Sequence, residues 1–251
     1  MKIHHEILLS LSFVTRLPLW RWCPPMDSVP LSQLVWTFPI AGAILGLACG
    51  AFFQLLIVLG LATGLAAIFT VAFQLWLTGA LHEDGLADTA DGFAGGRNKE
   101  QRLVIMRDSR IGSFGALALI ISIMLRVYAL TLSSHPALVM LVFVAAGAMS
   151  RAMMAIGMFA LPNARADGLA AWAGKPTPLQ MYCSVILACV ITLTCFKTVG
   201  LGFIAAALIV CDIVCIVSKR KIEGITGDVY GTLQQCVEVI ILIVATVLVH
   251  G

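Results

Sequence analysis

Long runs of apolar residues alternate with short polar segments along almost the whole of this 251-residue chain. Seven of these runs are close to the ~20 residues that an α-helix needs to cross a bilayer. The pattern therefore predicts an all-α, polytopic integral membrane helical bundle, formed by a single domain over residues 1–251. We place about seven transmembrane helices at 33–60, 64–82, 112–134, 136–161, 178–196, 199–217 and 231–249.

The N-terminal stretch MKIHHEILLSLSFVTRLPLW is also apolar, but it is too short to span a bilayer and Arg16 interrupts it. A signal peptide would end in a cleavage site of small residues, and no such site follows. We expect an N-terminal interfacial helix that lies at the membrane surface. Trp20 and Trp22 would then sit at the depth of the lipid headgroups.

Composition supports a membrane protein, because 60% of the residues are hydrophobic and only 12% are charged. A soluble domain would carry roughly 25% charged residues. The chain also contains eight cysteines, most of them inside apolar runs and none in a C-x-x-C pair. We interpret these cysteines as small packing residues rather than as metal ligands or disulfide partners.

The lysines and arginines predict the orientation of the bundle. With the N-terminus in the cytoplasm, 13 of the 16 fall on the inner side and only Lys197 on the outer side, while Arg126 and Arg151 lie inside spans. This distribution satisfies the positive-inside rule. The acidic sequence LHEDGLADTADGF, at the end of the second predicted span, would therefore face the cytoplasm.

That acidic sequence is the first candidate for chemistry. On a helix, Asp84, Asp88 and Asp91 fall within an arc of about 60°, whereas Glu83 points about 100° away. Carboxylates so close together repel one another unless a divalent cation lies between them, and such oxygen ligands suit Mg²⁺ or Mn²⁺. The alternative is a solvated acidic helix end, which fits less well because the run continues into apolar sequence.

A second cluster, IMRDSRIGSFG, places Arg107, Asp108 and Arg110 just before the third span. Guanidinium groups bind phosphate oxygens through two donors, so these arginines suit a phosphate whose metal is shared with Asp108. The alternative is ordinary anchoring of a cytoplasmic loop. We prefer that alternative for three other cations of the same segment, Arg97, Lys99 and Arg102.

A third cluster, EGITGDVYG, carries Thr226, Gly227 and Asp228 just before the last span. Glycines there allow backbone N–H groups to approach an anion, although such loops often only turn the chain. Arg151 lies within an apolar run, and a charged residue in such a place usually faces the bundle interior and often has a function. We expect it to reach a phosphate.

Carboxylates suited to a divalent metal, nearby arginines and a cytoplasmic membrane face together indicate phosphoryl transfer. The metal would polarise a diphosphate and neutralise charge on the leaving group. The sequence has no P-loop lysine motif, no G-x-S-x-G and no zinc-ligand spacing. Hydrolysis of a nucleoside triphosphate by a P-loop mechanism is therefore not expected.

At these residues the sequence resembles the cobalamin-5'-phosphate synthase family. The resemblance runs through most of the chain, and the order and spacing of its blocks make it more specific than any single block. The matching blocks are FVTRLP (13–18), TFPIAG (37–42), HEDGLADTADGF (82–93), IMRDSRIGSFGALAL (105–119), SRAMM (150–154) and GITGDVYG (224–231).

The resemblance implies a Mg²⁺-dependent enzyme of the bacterial inner membrane whose active site faces the cytoplasm. In the reaction of this family, a hydroxyl of α-ribazole or α-ribazole 5'-phosphate attacks the phosphorus next to the aminopropanol arm of adenosylcobinamide-GDP. GMP leaves, and adenosylcobalamin or its 5'-phosphate is formed. Membrane lipid is an expected partner and nucleic acid is not. A homo-oligomer, or association with other enzymes of cobamide assembly, is compatible with the sequence.

The resemblance also implies roles for individual residues. The metal ligands would be four carboxylates, those of Asp84, Asp88, Asp91 and Asp108. The residues with a catalytic role would be Asp88, Asp91, Arg107 and Arg110, with Asp91 as the candidate general base. The residues that bind substrate would be Arg16, Arg151, Thr226, Gly227 and Asp228.

Two other functions remain open. The segment DTADG, at 88–92, is similar to the start of the CDP-alcohol phosphotransferase signature, but Gly95, Gly96 and Arg97 depart from its spacing and only Asp108 follows. A secondary transporter would place acidic residues at mid-membrane within an inverted repeat. Here the acidic residues cluster at one face, and no repeat is evident.

Overall fold

The computed structural model describes residues 2–22, 25, 29–132 and 136–248. Within these ranges the regular structure is helical, apart from one isolated bridge between Asn163 and Ile225. The predicted all-α class is therefore confirmed. In chain order the α-helices are α1 (Ile3–Val14), α2 (Leu31–Leu34), α3 (Phe38–Val58), α4 (Thr63–Thr78), α5 (Leu81–Gly95), α6 (Lys99–Ile105), α7 (Ser113–Thr131), α8 (Pro136–Ala160), α9 (Leu169–Ala173), α10 (Pro178–Phe196), α11 (Gly200–Ile222) and α12 (Gly227–Leu248).

Several of these helices are long and apolar enough to cross a membrane. By length and composition, five segments of the described chain qualify, and α4 with α5 would make a sixth if that bent pair is one span. One of the five is the 45-residue run Pro178–Ile222, which joins α10 and α11. The chain is thus a multi-pass membrane protein, and its span count depends on how this run is divided.

The run from α10 to α11 folds back on itself at Lys197. This residue has a positive φ of 50°, and α10 ends there. A Cβ on Gly200 would lie 3.0 Å from the carbonyl oxygen of Thr192, although eight residues of a straight helix would separate the two by about 12 Å. The run is therefore two helices. Each of the seven predicted stretches therefore corresponds to one helix of the bundle. These helices are α3, α4, α7, α8, α10, α11 and α12.

The centre of the bundle is the contact between α3 and α8. Gly42, Gly46 and Gly50 follow one another at intervals of four along α3, so they share one face. A Cβ on Gly42 would overlap the carbonyl oxygen of Gly147, and one on Gly46 would overlap the backbone of Phe143. Small residues allow two spans to approach this closely, and the packing energy of that approach holds membrane helices together.

The second predicted span, 64–82, ends earlier than expected, and this prediction was wrong at its C-terminal end. Helix α4 stops at Thr78, where Gly79 and Ala80 both adopt left-handed conformations. The N–H of Ala80 donates to the carbonyl of Leu75, and that of Gly79 to the carbonyl of Trp76, which is a Schellman motif. Helix α5 then starts at 91° to α4 and carries the acidic sequence outside the span.

The polar loops meet at one end of the bundle, which we call the polar end. There the ammonium group of Lys221 donates to the carbonyl of Phe93 at 3.1 Å, joining the end of α11 to the end of α5. The loop after α8 is tied to the segment before α12, since Ala164 donates to Ile225 and Ile225 to Pro162, each at 2.9 Å. Residues far apart in sequence thus surround α5.

The predicted N-terminal helix is present as α1, which buries Leu9 and Val14. Glu6 accepts a 2.8 Å hydrogen bond from the indole of Trp36, so α1 packs beside the start of α3. Its interfacial position and the single-domain organisation stay predictions. Some of the sequence-based expectations lie outside the described residues: Cys23, the side chain of Trp20, and span ends 133–134 and 249.

Candidate active site

A cavity of about 360 Å³ opens beside α5 at the polar end of the bundle. It brings together five of the residues that the sequence indicated, from two segments more than ten residues apart. On one side are Asp84 and Asp88 of α5, and on the other the loop between α6 and α7. The site residues that line it are Asp84, Asp88, Arg107, Asp108 and Arg110.

Asp84 and Asp88 present free carboxylates to this cavity. They lie one helical turn apart on α5, and neither accepts a hydrogen bond or forms an ion pair within the described part of the chain. Burial, followed by three nearby carboxylates, raises the pKa of Asp88 to about 7. Those carboxylates are Asp84, Asp228 and Asp91. The cavity therefore concentrates negative charge that a cation would stabilise.

Asp91 has a different environment from the other two acids of α5. One of its carboxylate oxygens accepts a hydrogen bond from the backbone N–H of Gly112 at 2.7 Å, and the other from Gly115 at 2.8 Å. A Cβ on either glycine would overlap the carboxylate. Asp91 therefore holds the N-terminus of α7 against α5, and it is less available as a base or metal ligand than the sequence suggested.

The loop between α6 and α7 supplies the cations of the cavity, and each is paired with an acid. Arg110 donates to both oxygens of Asp108, from Nε at 3.0 Å and from Nη2 at 2.7 Å. This exposed fork holds the pKa of Asp108 at about 2, well below its ordinary value. Arg107 forms an ion pair with Asp167 from the loop after α8.

Asp228 lies in the first turn of α12, against α5. Its backbone packs on Gly85, where a Cβ would come within 2.6 Å of the Asp228 carbonyl oxygen. Its Oδ2 accepts a 3.1 Å hydrogen bond from the hydroxyl of Thr226 and lies 3.5 Å from Nη2 of Arg165. Gly227 and Asp228 thus lie beside α5, and Thr226 is joined to them through Asp228.

The four predicted metal ligands do not converge on one point. Among the described residues, no group of three or more His, Cys, Asp or Glu side chains is arranged to hold a metal ion. Asp91 is bound to backbone N–H groups and Asp108 to Arg110, which leaves Asp84 and Asp88. Two free carboxylates fit Mg²⁺, because this ion usually keeps several waters and binds only one or two carboxylates together with substrate phosphates.

None of the five predicted substrate-binding residues lines this cavity. Gly227 and Asp228 line a neighbouring pocket, whereas Arg16 and Arg151 line neither. Arg151 is 1% exposed, inside the bundle, where its Nη1 donates to the carbonyl of Gly147 at 3.3 Å. Arg16 lies at the bend between α4 and α5, where its backbone N–H donates to the carbonyl of Leu77 at 3.0 Å. Neither side chain lines the cavity that holds Asp84 and Asp88.

Behind α5 the structure contains a buried polar network that the sequence did not predict. Arg126 of α7 is fully buried, and its Nη1 lies 3.0 Å from Oε1 of Glu83 and 3.6 Å from Oε1 of Glu238. Gln235 donates to the same Glu83 oxygen at 3.0 Å. The signal in the sequence was the occurrence of polar residues inside apolar spans, which usually face the bundle interior.

Comparison with known proteins matches nearly the whole chain. The family model described as cobalamin-5-phosphate synthase matches residues 6–246. A protein of Bradyrhizobium diazoefficiens named adenosylcobinamide-GDP ribazoletransferase is 40% identical over 250 residues, covering 98% of this chain and 95% of that protein. No solved structure is significantly similar to the chain.

Proteins with the same name in two other organisms are similar over comparable lengths. The one from Mesorhizobium japonicum is 38% identical, covering 98% of this chain and 94% of its own. The one from Azorhizobium caulinodans is 40% identical, covering 96% and 95%. The match extends over nearly the whole chain and includes α5, the loop between α6 and α7, and the start of α12. This chain therefore belongs to the cobalamin-5-phosphate synthase family.

Proposed function

We propose that this protein transfers α-ribazole, or its 5'-phosphate, onto adenosylcobinamide-GDP and releases GMP. The names of its relatives support the donor and the transferred group. The observation that carries the proposal is the cavity in which Asp84 and Asp88 face Arg107 and Arg110. A site with free carboxylates on one wall and guanidinium groups on the other suits a diphosphate that is bound together with a divalent cation.

In this proposal, Asp84 and Asp88 hold Mg²⁺. When bound, the ion would withdraw charge from the diphosphate and stabilise the negative charge that develops on the leaving phosphate. The sequence assigned the same role to Asp91 and Asp108. Their hydrogen bonds in the structure favour other roles: Asp91 positions α7, and Asp108 orients Arg110.

The arginines of the α6–α7 loop bind the diphosphate of the donor. Both are exposed and both are paired with a carboxylate, so the donor's phosphate oxygens replace or join those acids as acceptors. Guanidinium forks bind two oxygens in a fixed geometry, which orients the phosphorus that is attacked. Arg107 is tied to the loop after α8 through Asp167, so donor binding also involves that loop.

The chemical step forms one bond and breaks one. The acceptor's hydroxyl oxygen bonds to the phosphorus next to the aminopropanol arm, and the bond from that phosphorus to the bridging oxygen breaks, so that GMP leaves with the bridging oxygen. The hydroxyl proton goes to a carboxylate. We assign this proton to Oδ1 of Asp228, because Thr226 and Arg165 engage only Oδ2. General bases must lie within reach of the proton they accept.

The polar end of the bundle faces the cytoplasm of the bacterial inner membrane in this proposal. Thirteen of the 16 lysines and arginines lie on that side when the N-terminus is cytoplasmic. The charged substrates would reach the site from the aqueous phase without crossing the bilayer.

The reaction is tested with the purified chain in nanodiscs. Supplied with adenosylcobinamide-GDP, α-ribazole or its 5'-phosphate, and Mg²⁺, the protein is expected to release GMP and form a complete corrinoid in equal amounts, both measured by chromatography. Absence of both products from folded protein would contradict the proposal. Release of CMP from a CDP-activated lipid precursor would instead support the CDP-alcohol phosphotransferase alternative.

A further inference from the structure

A second, narrower pocket lies on the other side of Asp84. It has a volume of about 80 Å³ and is formed where α1, α5, α8, α9 and α12 meet. Asp84 lines both this pocket and the larger cavity with the arginines, so this residue stands between the two. A reaction between two bound molecules needs two such compartments on either side of the reacting centre, since the attacking and leaving groups lie on opposite sides of the phosphorus.

The lining of this pocket is unsuited to a diphosphate. Five of its side chains are apolar or aromatic, and it contains two carboxylates but no lysine or arginine of the described chain. Anionic phosphates would be repelled there, whereas a planar aromatic group would replace water against the apolar walls. The apolar and aromatic lining residues are Phe13, Leu81, Met154, Leu169 and Tyr230.

The pocket contains a buried imidazole that has no hydrogen-bond partner among the described residues. His82 is 2% exposed, and neither of its ring nitrogens makes a hydrogen bond within the described residues. A buried polar group without a partner is costly, so a ligand that supplies one is favoured. The imidazole can exchange one hydrogen bond with a ligand that is otherwise held by apolar contacts.

We propose that this pocket binds the base of the acceptor nucleoside, and this proposal rests on the proposed function. The base of α-ribazole is a bicyclic benzimidazole with a single unsubstituted ring nitrogen, which matches one unpaired imidazole among apolar side chains. The attached ribose then lies beside Asp84 and Asp228, whose carboxylates accept hydrogen bonds from its hydroxyls. The attacking hydroxyl is thereby directed toward the larger cavity, which Arg107 and Arg110 line.

The guanine of the donor is a poorer match. Guanine carries an amide N–H, an exocyclic amine and a carbonyl along one edge, and all three need partners when they are buried. The carboxylates of the pocket can accept hydrogen bonds from its two nitrogen donors, but the five apolar and aromatic side chains that form most of the wall favour the less polar benzimidazole.

The short helix α9 covers the pocket and must move outward to admit a bicyclic base, because the space is narrow. Leu169, the first residue of α9, packs on Gly227, where a Cβ would lie 2.8 Å from the Leu169 Cβ. The residues on either side of α9, Gly168 and Gly174, have positive φ values of 84° and 75°. Such conformations are available to glycine at little cost, so these two positions can serve as hinges of the cover.

The test uses the full chain in nanodiscs with two variants of the pocket, Leu169→Trp and His82→Phe. Leu201→Trp is the matched control, because Leu201 is 58% exposed and lies near the Lys197 reversal, away from the polar end. Binding of α-ribazole and of its 5'-phosphate is measured by calorimetry without donor. The KM values for acceptor and donor are then measured from GMP release.

We expect Leu169→Trp and His82→Phe each to raise the Kd and the KM of the acceptor by about tenfold, the equivalent of ~1.4 kcal/mol. The KM of the donor should stay within about twofold, and the control should match wild type. A rise in the donor KM alone would assign the pocket to guanosine and overturn the proposal, as would unchanged acceptor constants in both variants. Failure of wild type to release GMP would instead refute the proposed function.

Discussion

The carboxylate of Asp91 on α5 accepts a 2.7 Å hydrogen bond from the backbone N–H of Gly112, 21 residues later in the chain. A second bond, from the N–H of Gly115 at 2.8 Å, occupies its other oxygen. A carboxylate at a helix N-terminus satisfies N–H groups that have no partner within the helix and interacts favourably with its dipole. Asp91 thus joins α5 to α7.

Replacing Asp91 should therefore affect stability, in contrast to replacing Asp88. Asp91→Asn leaves one amide oxygen for two N–H donors, and we expect it to lower the free energy of unfolding by about 1–3 kcal/mol. Asp88→Asn removes an unpaired carboxylate beside three others and should not lower it. Thermal unfolding in nanodiscs compares the two variants. An unchanged midpoint for Asp91→Asn, together with lost activity, would show that Asp91 takes part in the reaction instead.

The close approach of α5 and α7 requires glycine at position 115. A Cβ there would overlap the Asp91 carboxylate and lie 2.9 Å from the carbonyl oxygen of Ala87. We expect Gly115→Ala to destabilise the protein by about 1–3 kcal/mol, as overpacking commonly does, and to lower activity by displacing the α6–α7 loop.

Gly64→Ala is the matched control for Gly115→Ala. The nearest atom to a Cβ at Gly64 is Cγ2 of Thr131 at 3.9 Å, so alanine is accommodated there. Since alanine has the higher helix propensity, this variant should be neutral or slightly more stable. Equal unfolding midpoints for the two variants would contradict the account of the α5–α7 contact.

The ion pair between Glu83 and Arg126 should stabilise the fold strongly, because both side chains are buried. Glu83→Ala leaves the Arg126 charge without its closest partner, and we expect a loss of about 3–5 kcal/mol. The exposed pair of Lys99 and Glu223, at 2.8 Å, provides the comparison. Glu223→Gln should cost at most about 1 kcal/mol. Chemical denaturation in detergent measures both, and similar losses would refute the distinction.

The guanidinium fork of Arg110 should matter for the donor and not for folding, since its side chain is 86% exposed. Arg110→Lys keeps the charge but loses the two-point geometry, so we expect the kcat/KM for adenosylcobinamide-GDP to fall by about 10–100-fold with unchanged unfolding. Arg97→Lys, outside the cavity, is the control. Equal kinetic effects of the two substitutions would count against a role for Arg110 in binding the diphosphate.

Much of the architecture follows from local sequence. Apolar runs of span length became helices, and the 3.6-residue period placed Asp84 and Asp88 on one face of α5, where both line the cavity. Glu83, expected about 100° away, also lines that cavity and pairs with the buried Arg126. The break after Thr78 was missed because the apolar run continues through Gly79 and Ala80, and only the backbone geometry shows that the helix ends there.

The remaining differences arise from contacts between distant segments. Helical spacing put Asp91 on the face of the metal ligands, but its actual partners are glycines more than 20 residues away. Arg151 was expected at a phosphate because its charge is unusual in a span. It lies instead among buried polar groups near Glu238, and periodicity alone cannot decide between an interior network and a substrate site.

The central claim is that Asp84 and Asp88 hold the metal at the reacting diphosphate. The most direct measurement is the rate of GMP release as a function of Mg²⁺ concentration for wild type, Asp84→Asn, Asp88→Asn and the surface control Glu100→Gln. We predict that both aspartate variants need more Mg²⁺ and lose about 100-fold or more in rate at saturation, because the bound ion is worth several kcal/mol in the transition state. The control should behave as wild type. Wild-type rates and wild-type Mg²⁺ dependence in both aspartate variants would contradict the account.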